Sequence, residues 1–395
     1  MIPAQRQKYN QQFTAEKYKA FINELEKDYK EIPFRVAETP LFIPRALKEK
    51  LIAVGEEIID LIKQPNFKEI TQKAIPVEWN VPNETEQPHF LTFDFGICKN
   101  QAGELTPMLI EMQGFPSLYG FQVHLADTFR KCFDIDDTTS HFLNGFDEEK
   151  YISLFKEVII GKHQPHEVAV MDIDALNQKT AIDFMVTQKL LGIKILALED
   201  IKKVGKQLFY EENGQQIQLK RIYNRLIFDE VAQNTEVFKN SFDPREEVDI
   251  EWVTHPNWFY RISKYTMPFL KSEFVPETRF LNELEEIPAD LENYVLKPLF
   301  SFAGMGVIID VSAEDISNIP DPENWILQRK VTYEPAVQSP TGGVKAEIRM
   351  MYLWPDGGEP QLCINLGRLS RGKMIGVRYN ADFDWVGGTV GFMEK

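Results

Sequence analysis

The sequence predicts a mixed α+β protein with an α/β unit set inside it. Two patterns carry this expectation. Residues 89–113 alternate apolar and polar positions with a period of two, and residues 165–255 alternate strand-like runs with a helical one. A third, weaker cue is a series of strand-like runs after residue 256, separated by Gly- and Pro-rich turns. The chain has 395 residues, enough for two or three domains. An apolar fraction of 43% and an aromatic fraction of 12% are enough to bury a sizeable core, which excludes a largely disordered chain.

Residues 13–64 read as helical. In PRALKEKLIAVGEEIIDLIKQ, Leu47, Leu51, Val54, Ile58 and Leu61 recur at helical spacing, and Pro44 suits a first helical turn. In HFLTFDFGI, Leu91, Phe93 and Phe95 take one face and Thr92 and Asp94 the other. MLIEMQ follows after a polar turn, so two antiparallel strands joined around Ala102-Gly103 are expected. EVAVMDID is an apolar strand, TAIDFMVTQKLL a helix with Gly192 placed to end it, and IKILAL a strand. QLFYEENGQQIQLK reads as a hairpin turning at Asn213-Gly214, and RIYNRLIF closes a parallel unit. A helix is expected around RISKYTMPFLK. Strand-like runs follow in YVLKPLFSFAGMGVIID, WILQRKV, AEIRMMYLW, QLCINLGRLS and KMIGVRYN, with WPDGGEP as a turn.

Lys+Arg number 44 and Asp+Glu 60, a net charge of −16, which argues against a general nucleic-acid or anionic-membrane binder. A local basic pocket for an anion remains compatible with it. MIPAQRQKYNQQ has no apolar h-region and no run of about 18 apolar residues occurs, so neither a secretory signal nor a membrane span is expected. Cys98, Cys132 and Cys363 lie far apart and support neither a disulfide framework nor a zinc site. His163 and His166 flank Pro165, which favours a loop over a helical metal pair. A reducing, cytoplasmic setting is the expectation.

Three stretches carry chemistry. In VLKPLFSFAGMGVIID a strand ends at Lys297, and a loop with Ser301, Gly304 and Gly306 precedes a second β-branched run. Small residues let backbone N–H groups approach phosphate oxygens, and a lysine adds a point charge. The loop joins two strands, so a glycine flap over nucleotide phosphates fits better than a Walker or Rossmann turn; an ordinary glycine hairpin is the alternative. In the 89–113 hairpin, centring the turn between Ala102 and Gly103 sets Asp94 opposite Glu111, with Gln113 on the same face. Facing carboxylates repel, and either a hard cation or surrounding water relieves that. Arg349, Arg368, Arg371 and Arg378 form a late cationic set suited to carboxylate or phosphate, or to ordinary ion pairs.

Together these stretches resemble the ATP-grasp family, in its circularly permuted, glutathionylspermidine synthetase-like branch. LIEMQGFPSLYG resembles that branch's Glu-x-Asn metal motif, and it precedes the lysine-bearing strands as permutation requires. VLKPLFSFAGMGVII resembles the Lys-Pro-loop-Gly strand pair, RISKYTMPFL the helix bearing the first nucleotide lysine, WILQRKV the strand entering the adenine hinge and LGRLS a late Gly-Arg-Leu strand. The resemblance implies a permuted ATP-grasp fold with a small Rossmann-like, pre-ATP-grasp α/β domain. Its implied layout is an N-terminal helical segment (1–88), a permuted segment with metal-binding strands (89–160), the α/β domain (161–255) and the nucleotide-binding lobes (256–395).

The same resemblance implies ATP and Mg2+ as cofactors. Lys264 and Lys297 would contact ATP, Ser301, Gly304 and Gly306 would form the flap, and Gln328 and Lys330 would lie at the adenine hinge. Asp94, Glu111 and Gln113 would hold magnesium. The implied activity is carboxylate–amine or carboxylate–thiol ligation through an acylphosphate, with Arg349, Arg368 or Arg378 positioning the carboxylate. The expected partners are the small-molecule substrates and, by default symmetry, a second copy of the chain. Gln113 departs from the family's Asn, Thr92 stands where these synthetases carry an Arg, and there is no separate amidase domain. A non-catalytic nucleotide-binding scaffold and a phosphotransferase to a hydroxyl are the alternative functions.

Overall fold

The computed structural model describes residues 1–395 except 229–230, 232–234, 240, 301–305, 373–374 and 376–379. Its centre is an antiparallel sheet. Strand Phe90–Lys99 pairs on one side with Leu105–Gln113 and on the other with Gly342–Leu353. Gln361–Ser370 and Gly387–Thr389 extend the sheet beyond Gly342–Leu353. Leu91, Phe93 and Phe95 are fully buried, as the alternation predicts. Thr92 and Asp94, on the opposite face, are buried as well. The polar face is therefore enclosed by protein rather than by water.

Helix Arg45–Ile62 covers the apolar face, with Leu47, Leu51, Val54 and Ile58 in the core and Leu61 at its margin. Pro44 is the cap residue, one position before the first turn. Gly55 is where this helix meets the sheet most closely: a Cβ there would lie 2.0 Å from the Tyr352 hydroxyl oxygen. The 13–64 stretch is not uniformly helical. Helices Pro3–Gln12 and Ala15–Glu26 precede an irregular passage, and Leu41–Ile43 pairs in parallel with Gly391–Glu394. Pro33 and Pro40 punctuate that passage, and each lacks the N–H a continuous helix needs.

The α/β unit forms as expected. Val168–Asp172, Lys194–Ala197, Arg221–Asn224 and Glu251–Val253 make a parallel sheet, and helix Ala181–Leu191 ends at Gly192 with φ 73°. Asn213 and Gly214 both carry positive φ in the hairpin turn (52° and 76°), the signature of a primed two-residue turn. In spatial order the strands run 251–253, 221–224, 168–172, 194–197. The direction of chain progression therefore reverses between Val168–Asp172 and Arg221–Asn224. In open parallel sheets, ligands settle beyond the carboxyl ends of the strands at such a point.

A smaller antiparallel sheet orders Thr278–Phe280, Trp325–Arg329 and Tyr294–Pro298. Two expectations are corrected nearby. Around RISKYTMPFLK the α-helix is only Asn257–Arg261, and Lys264–Phe269 is a 3-10 helix containing Pro268. After the glycine loop, the β-branched run makes a single bridge, Leu296 to Ile308, rather than a strand. KMIGVRYN falls largely outside the described residues. Among the described residues no helix is long and apolar enough to cross a membrane. Cys98, Cys132 and Cys363 are free thiols.

Candidate functional site

The hairpin register places Asp94 opposite Glu111 as expected, but by another route: the turn is centred on Ala102 rather than between Ala102 and Gly103, and a register shift makes up the difference. Lys99 pairs with Leu105 and Phe95 with Leu109, so Ile110 is an extra residue bulged out before Glu111. The bulge matters because the Ile110 carbonyl accepts from Lys297 Nζ at 3.4 Å, across 187 residues of chain. Lys297 Nζ also donates to Gln328 Oε1 at 2.5 Å. Gln328, almost fully buried, is fixed in turn by donating from Nε2 to Thr278 Oγ1 at 3.0 Å, its register partner on the next strand.

Lys264 lies near Lys297, where its charge disfavours a second ammonium, and its Nζ reaches the Leu299 carbonyl at 3.4 Å. Burial is the largest influence on Lys297. Together with Lys264 it outweighs the attraction of Glu111 and lowers the pKa to about 8. Glu111 and Glu347 both attract the Lys297 charge, but Glu347 is shared with Arg368; two neighbouring ammonium groups suit a polyanionic ligand.

The third strand explains the facing carboxylates. Arg349 is the register partner of Asp94 and grips it bidentately, Nε to Oδ1 at 2.6 Å and Nη2 to Oδ2 at 2.7 Å. Arg368 also donates to Asp94 Oδ2, and its Nε lies 3.2 Å from Glu347 Oε2. Tyr333 donates to the other Glu347 oxygen at 2.6 Å. Burial pushes the Asp94 carboxyl upward, but the Arg349 and Arg368 charges prevail and hold it at about 2. Glu347 goes the other way: burial and the neighbouring Asp94 raise it despite Arg368. Glu111 is left with a hydrogen bond from Gln113 Nε2 at 2.8 Å and a longer contact of 3.9 Å to Arg349. Its side chain is 29% exposed.

Of the expected residues, the structure brings together Asp94, Glu111, Gln113, Lys264, Lys297, Gln328, Arg349 and Arg368. Lys330 is apart from them, its Nζ donating to the Glu292 carbonyl at 2.6 Å and lying 3.7 Å from Asp310. Gly306, with φ 72°, packs by Pro298 next to Lys297. Ser301, Gly304 and Arg378 lie outside the described residues. Arg371 holds Ser339 and Thr341 instead. His163 contacts Glu251 at 3.0 Å, and no cluster of three or more metal-binding His, Cys, Asp or Glu occurs among the described residues.

Sequence reasoning missed Glu347 and Tyr333, although Glu347 shares a strand face with Arg349 two residues on. It also missed Arg225, which follows the Arg221–Asn224 strand at the sheet's reversal point. Arg225 is 5% exposed, lies between the Phe115 and Phe184 rings at 5.2 and 5.1 Å, and stands 3.5 Å from Asp183. Its Nε has no hydrogen-bond partner. Phe115 belongs to the loop leaving Gln113, so this guanidinium adjoins the end of the candidate metal strand.

Gly114 ties that strand to the lysine segment. Its N–H donates to the Ile262 carbonyl at 2.9 Å, and a Cβ there would lie 2.5 Å from the Trp258 carbonyl oxygen. Gly114→Ala must push these two backbones apart. We expect a loss of about 1–3 kcal/mol in chemical denaturation, as for other overpacked sites.

The mixed α+β fold is similar to that of a glutathione synthetase-like protein of known structure. In particular, the solved apo structure of the glutathione synthetase-like effector GSS30 from Globodera pallida matches this chain with a TM-score of 0.60. The match covers 96% of each chain at 11% sequence identity. No family model matches the sequence, and no curated protein matches it.

Proposed function

We propose that this chain is an ATP-dependent carboxylate–amine or carboxylate–thiol ligase on a circularly permuted ATP-grasp fold. The observation that carries the reading is Lys297, whose partly buried ammonium meets the backbone of the Glu111 strand and the hinge residue Gln328. The glutathione synthetase-like fold supports it, and so does the position of the carboxylate hairpin upstream of both lysines. Lys264 and Lys297 would take the phosphates, with Gln328 orienting Lys297. Arg225, at the reversal point of the parallel sheet, would receive an anionic group of the acyl substrate.

The residues present fit magnesium through Glu111 and Gln113. Both are partly exposed oxygen donors, and this ion takes its remaining ligands from phosphate and water. Asp94 stands outside that set, because both of its oxygens accept from guanidiniums. When bound, the ion would neutralise charge on the phosphates. The substrate carboxylate oxygen would attack the γ-phosphorus, breaking its bond to the bridging oxygen and releasing ADP. The amine or thiol would then add to the acyl carbon, lose its proton and expel phosphate. Arg368, partly exposed at the edge of the Asp94–Glu347 network, would offset the charge developing during transfer.

Hydroxylamine trapping tests the reaction class. Incubation with MgATP and a carboxylate panel is expected to yield a hydroxamate. ATP binding without ADP release across the panel would instead favour a non-catalytic nucleotide-binding protein, a reading supported by the engagement of Asp94. A phosphate ester would indicate transfer to a hydroxyl. Glu111→Gln is expected to reduce the magnesium enhancement of ATP affinity at least tenfold. A wild-type magnesium titration in that variant would remove Glu111 from the metal set.

A further inference from the structure

Tyr333 reaches the carboxylate network from outside the central sheet. It lies in the passage 330–336, which leaves strand Trp325–Arg329 downstream of Gln328 and leads into strand Val337–Ser339. The passage is tied down on both sides. Beside the small sheet, the Lys330 N–H donates to the Asn293 carbonyl at 2.7 Å. On the central sheet, the Ile97 carbonyl accepts from the Glu334 N–H at 2.9 Å, and Lys99 Nζ lies 2.7 Å from Glu334 Oε1. Tyr333 is therefore held where the two sheets meet.

Its ring occupies a position that the strand leaves open. Gly96 is the register partner of Glu347, and a Cβ at Gly96 would lie 2.7 Å from a carbon of the Tyr333 ring. A glycine within a strand permits such an approach. From there the Tyr333 hydroxyl donates to Glu347 Oε1 at 2.6 Å. Arg368 Nε stands 3.2 Å from the other oxygen, Oε2, and Arg368 Nη2 donates to Asp94. Glu347 is 4% exposed, whereas the Arg368 side chain is 32% exposed. A buried carboxylate oxygen deprived of its donor loses a bond that water does not replace. Without the hydroxyl, Glu347 has no fixed orientation from which to hold Arg368.

We infer that Tyr333 is a positioning residue, which holds the Arg368 guanidinium in place through Glu347. The inference rests on the ligase reading, in which Arg368 offsets charge during phosphoryl transfer. Asp94 and Glu347 anchor two different nitrogens of that guanidinium, so loss of one anchor frees it to turn about the other. Misplacing a reacting or charge-bearing group by about 1 Å costs on the order of 100-fold in rate. Nucleotide binding is assigned to Lys264 and Lys297, so ATP affinity should not depend on Tyr333.

Hydroxamate formation by the full chain, with MgATP and hydroxylamine in excess, tests this. Tyr333→Phe removes one oxygen atom and keeps the ring over Gly96. Its kcat is expected to fall about 10–100-fold, while KM for ATP and for the carboxylate, and ATP affinity by calorimetry, stay within about twofold of wild type. In a Glu347→Gln background the same substitution should change kcat by less than about twofold, because the path to Arg368 is already cut. Three results would each overturn the proposal: wild-type kcat in Tyr333→Phe; a loss of ATP affinity or a rise in either KM that matches the fall in kcat, which would make Tyr333 part of a binding pocket; or an equal fall in the Glu347→Gln background, which would route its effect elsewhere. A wild-type chain that forms no hydroxamate with any carboxylate would remove the ligase reading itself, and this inference with it.

Discussion

Asp94→Ala is expected to destabilise the folded protein by about 3–5 kcal/mol, the range for removing one partner of a buried ion pair. Asp94 is 1% exposed and serves two guanidiniums at once. Without it, Arg349 has the longer Glu111 contact at 3.9 Å, and Arg368 must rely on Glu347. Because Glu347 is buried and its pKa raised, it is a poorer counter-ion than the ionised Asp94. Urea denaturation at pH 7 would measure the loss; a change below about 1 kcal/mol would mean the arginines find other partners.

The same residue fixes an acid limit. Its folded pKa of about 2 lies below the ordinary carboxylate value, so the native state binds fewer protons than the unfolded chain between those values. The stabilisation from Asp94 is therefore complete above about pH 4 and fades as pH falls toward 2. Asp94→Asn should flatten that part of the stability profile.

This cluster shows where sequence reading reaches and where it stops. The facing of Asp94 and Glu111 was legible, though from a different turn centre: Lys99 pairs with Leu105, which centres the turn on Ala102, and the Ile110 bulge supplies the remaining one-residue offset. The relief of their repulsion was not, because it comes from Arg349, 255 positions later and on a third strand. A hairpin considered alone suggested a metal or water; the sheet supplies a guanidinium. The Ile110 bulge was hidden for a related reason. It resets the register by one residue, so that Leu109 and Met112 enter the core while Met108 and Ile110 do not, and the Met108–Ile110–Met112 alternation in the sequence gives no sign of it.

Within the 165–255 unit nearly every element was legible, since each is set by local runs and by Gly192 or Asn213-Gly214. The order of its strands was not, and that order is what marks Arg225 as a candidate site residue. The helix expected at RISKYTMPFLK was overruled by Pro268, whose missing N–H favours a short 3-10 segment. The run after the glycine loop has β-branched residues but, among the described residues, no bridge beyond Leu296 to Ile308, so propensity alone did not make a strand.

Lys297→Met should separate stability from binding. In the free protein the ammonium is partly desolvated beside a second lysine, and its pKa of about 8 means that folding opposes its charge. Methionine keeps the chain length and removes that penalty, so the melting temperature at pH 7 should rise. ATP affinity should fall about 10–100-fold, the equivalent of one charge-assisted hydrogen bond. A residue that costs stability and gains affinity is what selection for binding leaves behind.

The protonation signs agree. From pH 8 to about 10 the unfolded chain keeps the Lys297 proton that the native chain has lost, so this group makes the free protein more stable as pH rises. A bound triphosphate restores the charge, so binding in that window takes up a proton and weakens as pH increases. Calorimetry at pH 8.5 in buffers of differing ionisation enthalpy should report this uptake in the wild type and lose it in Lys297→Met. Equal ATP affinity in the two proteins, with no uptake in either, would remove Lys297 from the phosphate site and with it the observation on which the ligase reading rests.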